Sequence, residues 1–337
     1  MLFLILTSLC ILSCKSPIGS SVPWYAAFKV PKISDKIPTH ATGLGYFYRD
    51  DNTQLTEGPE DLNSSYNNPL YETLKQMYTG SSDIGYLLFS DQPPGDKDAS
   101  SSRAHLKGVM VFDSDNGIYL VHSTPRFPND PATGEFSYPD SGVTYGQSFL
   151  CMTLEHEELD KIAKSYLIEF PYIYASNEPD FTESKLPYVK DLLDSKWNKN
   201  EDTFIAEIKT ASKTFKLFGK SNSWNYDIYH DLIALNLQKD TFSSTWSNGV
   251  GTMTSDCSGD YYAINVLYVN FGSAEWQRSK DHSKWAVSGS HVCIGGINRQ
   301  ESQKKRGGDA FCVDYNPFAQ EILSVISSYE ECSNESS

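Results

Sequence analysis

Short apolar runs closed by turn residues dominate the chain. Residues 24–30, 43–49, 84–89, 107–112 and 118–122 are β-branched or aromatic and are bounded by Gly, Pro, Asp or Asn, which predicts strands. The run 261–271 is apolar at successive positions, as expected of a strand covered on both faces. Over 155–166, 202–218 and 317–329 the apolar residues recur at three and four, which predicts helices. Residues 90–103 and 127–146, rich in Pro, Gly and Ser, read as loops. The result is an α/β chain richer in strands than helices, and 337 residues suffice for two domains or one large pseudo-symmetric unit.

The N-terminal stretch breaks this pattern. Residues 2–12 are almost wholly apolar yet cover only about half of the ~20 residues that a bilayer span needs. They read as the core of a signal peptide occupying 1–13, with cleavage among small residues. A buried N-terminal strand and a lipid-modified Cys14 are the competing readings. No later stretch is long and apolar enough to span, so a soluble mature protein without stable membrane association is expected. Cysteine usage agrees with export. Of 7 Cys, Cys10 would leave with the signal peptide, and Cys14, Cys151, Cys257, Cys293, Cys312 and Cys332 remain. That even set suggests three disulfides, and spacing leaves their pairing open. No pair has C-x-x-C spacing, and neither a metal site nor a cofactor is expected. Sequons at Asn63 and Asn334 fit a glycosylated secretory protein.

Charge narrows the partners. A net −15 argues against a protein held on nucleic acid or anionic lipid by bulk charge, so a polyanion must be gripped locally or met at low pH, where the 7 His gain protons. One short element recurs, His105-Leu106-Lys107 and His282-Ser283-Lys284. On a strand, residues i and i+2 share a face, so each motif presents an imidazole beside an ammonium. Two such strands meeting at a pseudo-twofold axis would surround one phosphate with two His and two Lys. One His could attack phosphorus, the other protonate the leaving alkoxide, and the Lys pair hold the non-bridging oxygens. Taken alone, each tripeptide reads better as a surface strand with a solvated Lys and an incidental His.

The surroundings decide between these readings. The stretch from His105 to Asp113 and on from Asp115 to Pro128 resembles the first signature of the deoxyribonuclease II family. Asp281 to Ser288, followed by Cys293 to Arg299 and Arg306-Gly307-Gly308, resembles the second. Further similar stretches lie at 24–31, 43–50, 91–94, 144–151 and 215–220, so the resemblance covers nearly the whole mature chain. It implies a lysosomal or secreted acid endonuclease that cuts DNA without divalent metal and leaves 3′-phosphate and 5′-hydroxyl ends. It also implies a phospholipase D-like α/β fold of two pseudo-symmetric halves, mixed β-sheets packed by helices, each half giving one His-x-Lys. The expected halves are 14–175 and 176–337. Carried over by matching positions, the catalytic residues are His105, Lys107, His282 and Lys284, with His122 and Asn298 supporting, His105 the nucleophile and His282 the acid. The resemblance further implies bridges Cys14 to Cys151, Cys257 to Cys332 and Cys293 to Cys312. One departure is Gly296, which stands where many members carry Asp.

Other candidates carry less. If Asn116-Gly117 is a two-residue turn, Val111 faces His122, and Lys107 lies about 13 Å away along the strand, which makes His122 a neighbour rather than a reacting group. His40, His156 and His230 read as structural, His291 as near the second motif only in sequence, and Asp113 as a turn residue or a second carboxylate. Lys304-Lys305-Arg306, the densest basic run, reads as a plain solvated turn or as a loop contacting DNA phosphates. Two rival functions stand beside the nuclease: a catalytically silent secreted relative, suggested by Gly296, and a phospholipase or other phosphodiesterase on the same fold.

Overall fold

The computed structural model describes residues 12–33, 37–95 and 97–332. Most of the expected signal peptide and the sequon at Asn334 fall outside them, whereas Asn63 is exposed. The first sheet comprises β1 (Trp24–Lys29), β2 (Tyr46–Asp50), β3 (Thr56–Glu57), β4 (Gly85–Ser90), β5 (Lys107–Phe112), β6 (Gly117–His122), β7 (Gln147–Leu154) and β8 (Ile173–Asn177). It is antiparallel throughout, in the order β8-β4-β5-β6-β7-β1-β2-β3. The second comprises β9 (Thr203–Lys209), β10 (Thr214–Lys220), β11 (Thr241–Ser244), β12 (Ala263–Asn270), β13 (Glu275–Gln277), β14 (Trp285–Ser288), β15 (His291–Gly295), β16 (Gly308–Asp314) and β17 (Ile326–Tyr329). Its order is β9-β10-β16-β15-β14-β11-β12-β13, with β17 also on β12, and it is mixed because β11 and β12 run parallel.

Side-chain parity explains how the sheets meet. Alternate residues Trp24, Ala26 and Phe28 of β1 face a core shared with Phe215 and Leu217 of β10, Trp285 and Val287 of β14 and Phe311 of β16. Helices α1 (His156–Glu169) and α2 (Asn316–Val325) complete that core through Leu159, Ile162, Phe318 and Ile322. The opposite parity of β1, Tyr25 and Ala27, joins a second cluster on the outer face with Tyr48, Val109, Val111 and Leu120. The inner strands of the first sheet are therefore apolar on both faces, which accounts for their unbroken hydrophobic runs.

The expected helix over 202–218 is instead the hairpin β9–β10. Thr210 breaks any helical path: its Oγ1 accepts from the Ser212 and Lys213 backbone N–H groups, and its own N–H donates to Lys213 O at 2.8 Å. Pairing of β10 with β16 then completes the strand. The helix expected over 317–329 stops at Val325, and the following residues pair with β12. The two-sided cover expected of 261–271 holds only for Ala263–Val266, because Leu267 and Tyr268 emerge among edge strands with 38% exposure each.

The three disulfides join Cys14 to Cys151, Cys257 to Cys332 and Cys293 to Cys312, the pairing that the family resemblance implied. Cys293 and Cys312 sit directly opposite each other on β15 and β16.

A buried acid pair ties α1 to the second sheet. Glu169 and Asp309 are fully buried; Ser165 Oγ donates to Glu169 Oε1 at 2.6 Å and Tyr166 OH donates to Asp309 Oδ2 at 2.9 Å. Burial pushes Asp309 up to about 7 and Glu169 well above the usual carboxylate range, with Asp309 also repelling the charge on Glu169. The folded chain thus keeps a proton that the unfolded chain releases near its ordinary pKa of about 4. Between these limits the native state binds more protons, so stability falls as pH rises from about 4 to 7. Urea unfolding at pH 4.5 and 7.5 should show that loss, and Asp309→Asn, which needs no proton, should flatten it.

Candidate active site

Both His-x-Lys motifs lie at the seam between the sheets, and the backbone of each is clasped by the other half. The His105 N–H donates to Gly307 O at 2.8 Å, and the His282 N–H donates to Gly146 O at 2.9 Å. The Lys284 N–H donates to Ser148 Oγ at 2.9 Å. Four side chains 177 residues apart in sequence, His105 and Lys107 with His282 and Lys284, are in this way set at one seam.

On the first side, Lys107 pairs across the sheet with Ser90, which brings Asp91 just past the end of β4 beside the motif. Lys107 Nζ donates to Asp91 Oδ1 at 2.7 Å, Arg306 Nη2 donates to Oδ2 at 3.0 Å, and His105 Nε2 stands 3.9 Å from Oδ2. Burial alone would raise the Asp91 carboxyl, but Lys107, His105 and Arg306 outweigh it and hold it well below the usual range. His105 Nδ1 lies 2.7 Å from Gly296 O, which assigns the proton to Nδ1 and leaves a lone pair on Nε2.

On the second side, His282 Nδ1 lies 3.2 Å from Gln147 Oε1, which also accepts from Ser123 Oγ at 2.5 Å. Lys284 Nζ donates to His282 O at 2.7 Å. Lys284 is fully buried and its pKa is pressed well below the usual lysine range, chiefly by burial and then by Lys107. Burial brings the His105 pKa down to about 3, and His282 falls well below its ordinary value through burial and the neighbouring Lys284 and Lys107.

The β5–β6 turn differs from the two-residue turn expected. Val111 pairs with Ile118 and Phe112 with Gly117, leaving 113–116 as a four-residue loop closed by Asp113 Oδ1, which accepts from the Asp115 and Asn116 N–H groups. Continuing this register sets His122 opposite Lys107, so the expected separation vanishes. His122 is fully buried, stacked on Phe149 at 6.1 Å and met edge-on by Phe127 at 5.4 Å. Neither of its nitrogens has a hydrogen bond of good geometry among the described residues, the Thr124 backbone being close enough only to bias the ring toward protonation. Burial, with Lys107 and Lys284, lowers its pKa to about 3.

Asn298 lies beyond β15; its Oδ1 accepts from the Trp246 N–H at 3.2 Å, and the Trp246 ring stands edge-on to His282 at 5.1 Å. Gly296 is a packing requirement, since a Cβ there would lie 2.8 Å from Leu106 Cα and 3.0 Å from His105 O. Its carbonyl orients His105, so this glycine gives no support to a silent chain. Arg306 turns inward to Asp91 and to the Arg103 and Ala104 carbonyls, and Lys304 pairs with Glu301. Asp91 and Gln147 were missed as site residues, although both lie in stretches that carry the family resemblance, 91–94 and 144–151. His40, His156 and His230 have structural partners in Glu57, Asp113 O and Asp231, and His291 faces Asp314.

Two sheets of like order, with two imidazoles and a cluster of cations at the seam between them, are the architecture of the phospholipase D-like class. The comparisons specify the family. The deoxyribonuclease II family model matches residues 13–332. The chain is 30% identical over 335 residues to Plancitoxin-1 of Acanthaster planci, covering 95% of this chain and 92% of that one. It is 31% identical over 332 residues to Deoxyribonuclease-2-alpha of Mus musculus, covering 95% and 94%. To Cell-death-related nuclease 7 of Caenorhabditis elegans it is 33% identical over 338 residues, covering 96% and 89%. The chain belongs to the deoxyribonuclease II family.

Removing the carboxylate that Lys107 and Arg306 share should be costly. Asp91→Asn should destabilise the fold by ~3 kcal/mol at pH 6, because it leaves buried Lys107 without its counter-charge. Since Asp91 is depressed, its contribution is present above the ordinary carboxylate range and lost as pH falls, so the gap between variant and parent in urea unfolding should narrow below pH 4.

Proposed function

We propose that this protein is an acid endonuclease that hydrolyses DNA phosphodiesters through His105, Lys107, His282 and Lys284, without a metal ion, to 3′-phosphate and 5′-hydroxyl ends. The observation that carries the reading is the reciprocal clasp that presents one imidazole from each half at a common cationic seam. His105 Nε2 attacks phosphorus, the bond to O5′ breaks, and His282 gives its proton to the departing oxygen. Water, deprotonated by His282, then attacks the phosphohistidine and releases the 3′-phosphate. Lys107 and Lys284 hold the non-bridging oxygens as charge builds on them.

The two histidines differ in ways that support these roles. His105 is buried, its short Nδ1 bond fixes the nucleophilic tautomer, and Asp91 steadies the positive charge that phosphorylation of Nε2 creates. His282 is half-buried and can exchange protons with solvent. His122 and Asn298 support the site from its walls. The signal peptide at 1–13, the halves at 14–175 and 176–337, glycosylation at Asn63 and Asn334, and a lysosomal or secreted destination belong to the same reading, which the three disulfides support.

Acid dependence follows from the lowered imidazole pKa values. In the empty site the cations oppose a second positive charge, so His282 gains its proton only in acid; a docked phosphate offsets those cations and raises its pKa. The alkaline limb of kcat, which reports the complex, should therefore lie at higher pH than that of kcat/KM, with activity retained in chelator. Coincident limbs, or a requirement for magnesium, would refute this account.

The roles separate by leaving group. On a thymidine 3′-nitrophenyl phosphate, whose leaving group needs little protonation, His282→Ala should recover much of the activity that it loses on DNA, and His105→Ala should stay inactive on both. Lys107→Ala and Lys284→Ala should each cost kcat about 100-fold or more, by the measure of a lost oxyanion donor.

A further inference from the structure

Two buried lysines outside the reacting set occupy equivalent places in the two sheets. Lys29 ends β1 and pairs with Gln147, the first residue of β7; Lys220 ends β10 and pairs with Gly308, the first residue of β16. The residue before each of those partners is a glycine, Gly146 or Gly307, and these are the glycines whose carbonyls clasp His282 and His105. Glycine is needed at both points: a Cβ at 146 would lie 2.6 Å from Asp281 Oδ1, and one at 307 would run into the Glu169 carbonyl.

Each ammonium is spent on backbone carbonyls. Lys29 Nζ donates to Gly43 O and Val143 O, both at 2.7 Å, and Val143 lies on the loop that leads to Gly146. Lys220 Nζ meets Arg306 O at 2.6 Å, Lys304 O at 2.8 Å, Trp224 O at 3.1 Å and Ser221 O at 3.3 Å, and Arg306 immediately precedes Gly307. Neither lysine forms an ion pair among the described residues, and both are essentially inaccessible to solvent. A buried ammonium without a carboxylate partner is costly, and an apolar side chain of like volume would fill either place more cheaply for stability alone. What the ammonium adds is convergence: it draws separate carbonyls onto one point and so fixes the loop that bears them.

We infer that Lys29 and Lys220 are a pseudo-twofold pair of positioning residues, each holding the loop whose glycine carbonyl seats the reacting histidine of the opposite half, Lys29 for His282 and Lys220 for His105. This rests on the roles proposed above for those histidines. Lys29 therefore acts on the proton-transfer step and Lys220 on the attack at phosphorus.

The test is Lys29→Met and Lys220→Met, assayed on DNA and on thymidine 3′-nitrophenyl phosphate, with thermal unfolding to verify the fold. Each variant should lose about 10- to 100-fold in kcat on DNA, the cost of a reacting group displaced by about 1 Å, with KM changed less than about threefold. Lys29→Met should recover most of that loss on the nitrophenyl ester; Lys220→Met should lose the same factor on both substrates. Should a Met variant not fold, Lys29→Gln or Lys220→Gln, which keeps an N–H donor, carries the same comparison. Equal losses by both variants on both substrates, or no loss in kcat, would overturn the inference. If His105→Ala and His282→Ala were themselves unimpaired, the proposed function would fail first; if they are impaired and the lysine variants are not, the inference alone fails.

Discussion

Positive charge buried at the seam between two sheets is the constraint to which the rest of the structure answers. Like charges about 4 Å apart repel by ~4 kcal/mol at an effective dielectric near 20, so Lys107, Lys284 and Arg306 cannot share a dry seam uncompensated. Asp91 binds two of the three cations, and Lys284 rests on the His282 carbonyl instead. The residual cost appears in the lowered pKa values of Lys284 and the imidazoles. A phosphate group supplies what such a seam lacks. A chain with net charge −15 can thus hold a polyanion at one point without a basic surface.

The same constraint ties folding to acid. Imidazoles kept neutral by their surroundings disfavour the folded chain at low pH, whereas the acid pair kept protonated at Glu169 and Asp309 favours it there. Burying a neutral His costs stability in acid, where the unfolded chain takes up the proton; burying a neutral carboxyl gains it there. The acid pair sits at the end of α1, against the loop that reaches Gly307, so the element that seats His105 is firmest where the proposed chemistry runs.

Much of this was legible in the residues. Strands β1, β2, β4, β5 and β6 followed from β-branched runs with turn residues at their ends, but the strands expected to carry the His-x-Lys motifs begin only at Lys107 and Trp285, so backbone bonds across the seam, not alternation along a strand, seat His105 and His282. What failed did so for physical reasons. Residues 202–218 satisfy a three-to-four spacing, but the Thr210 side chain captures the turn and β16 offers β10 a partner, and no local pattern reports either. His122 was misplaced by four residues because Asp113, not Asn116-Gly117, sets the hairpin. Asp91 and Gln147 escaped notice because their importance is relational: each matters through the side chain it meets across a strand or a seam.

Pseudo-symmetry also explains how two nearly equivalent motifs could take on unequal work. The backbone clasps, the glycines and the buried lysines occupy equivalent places in the two sheets. The side chains touching the imidazoles are not equivalent. Asp91, a carboxylate, stands near His105, and Gln147, a neutral amide, stands at His282; Gly296 O holds one Nδ1 at 2.7 Å, whereas Gln147 Oε1 meets the other at 3.2 Å. A carboxylate favours lasting positive charge on the first ring, as a covalent phosphohistidine requires. A neutral amide lets the second ring gain and lose a proton within one turnover. Symmetric scaffolding with asymmetric contacts is therefore sufficient to suit the same tripeptide to the two proposed roles, nucleophile and acid.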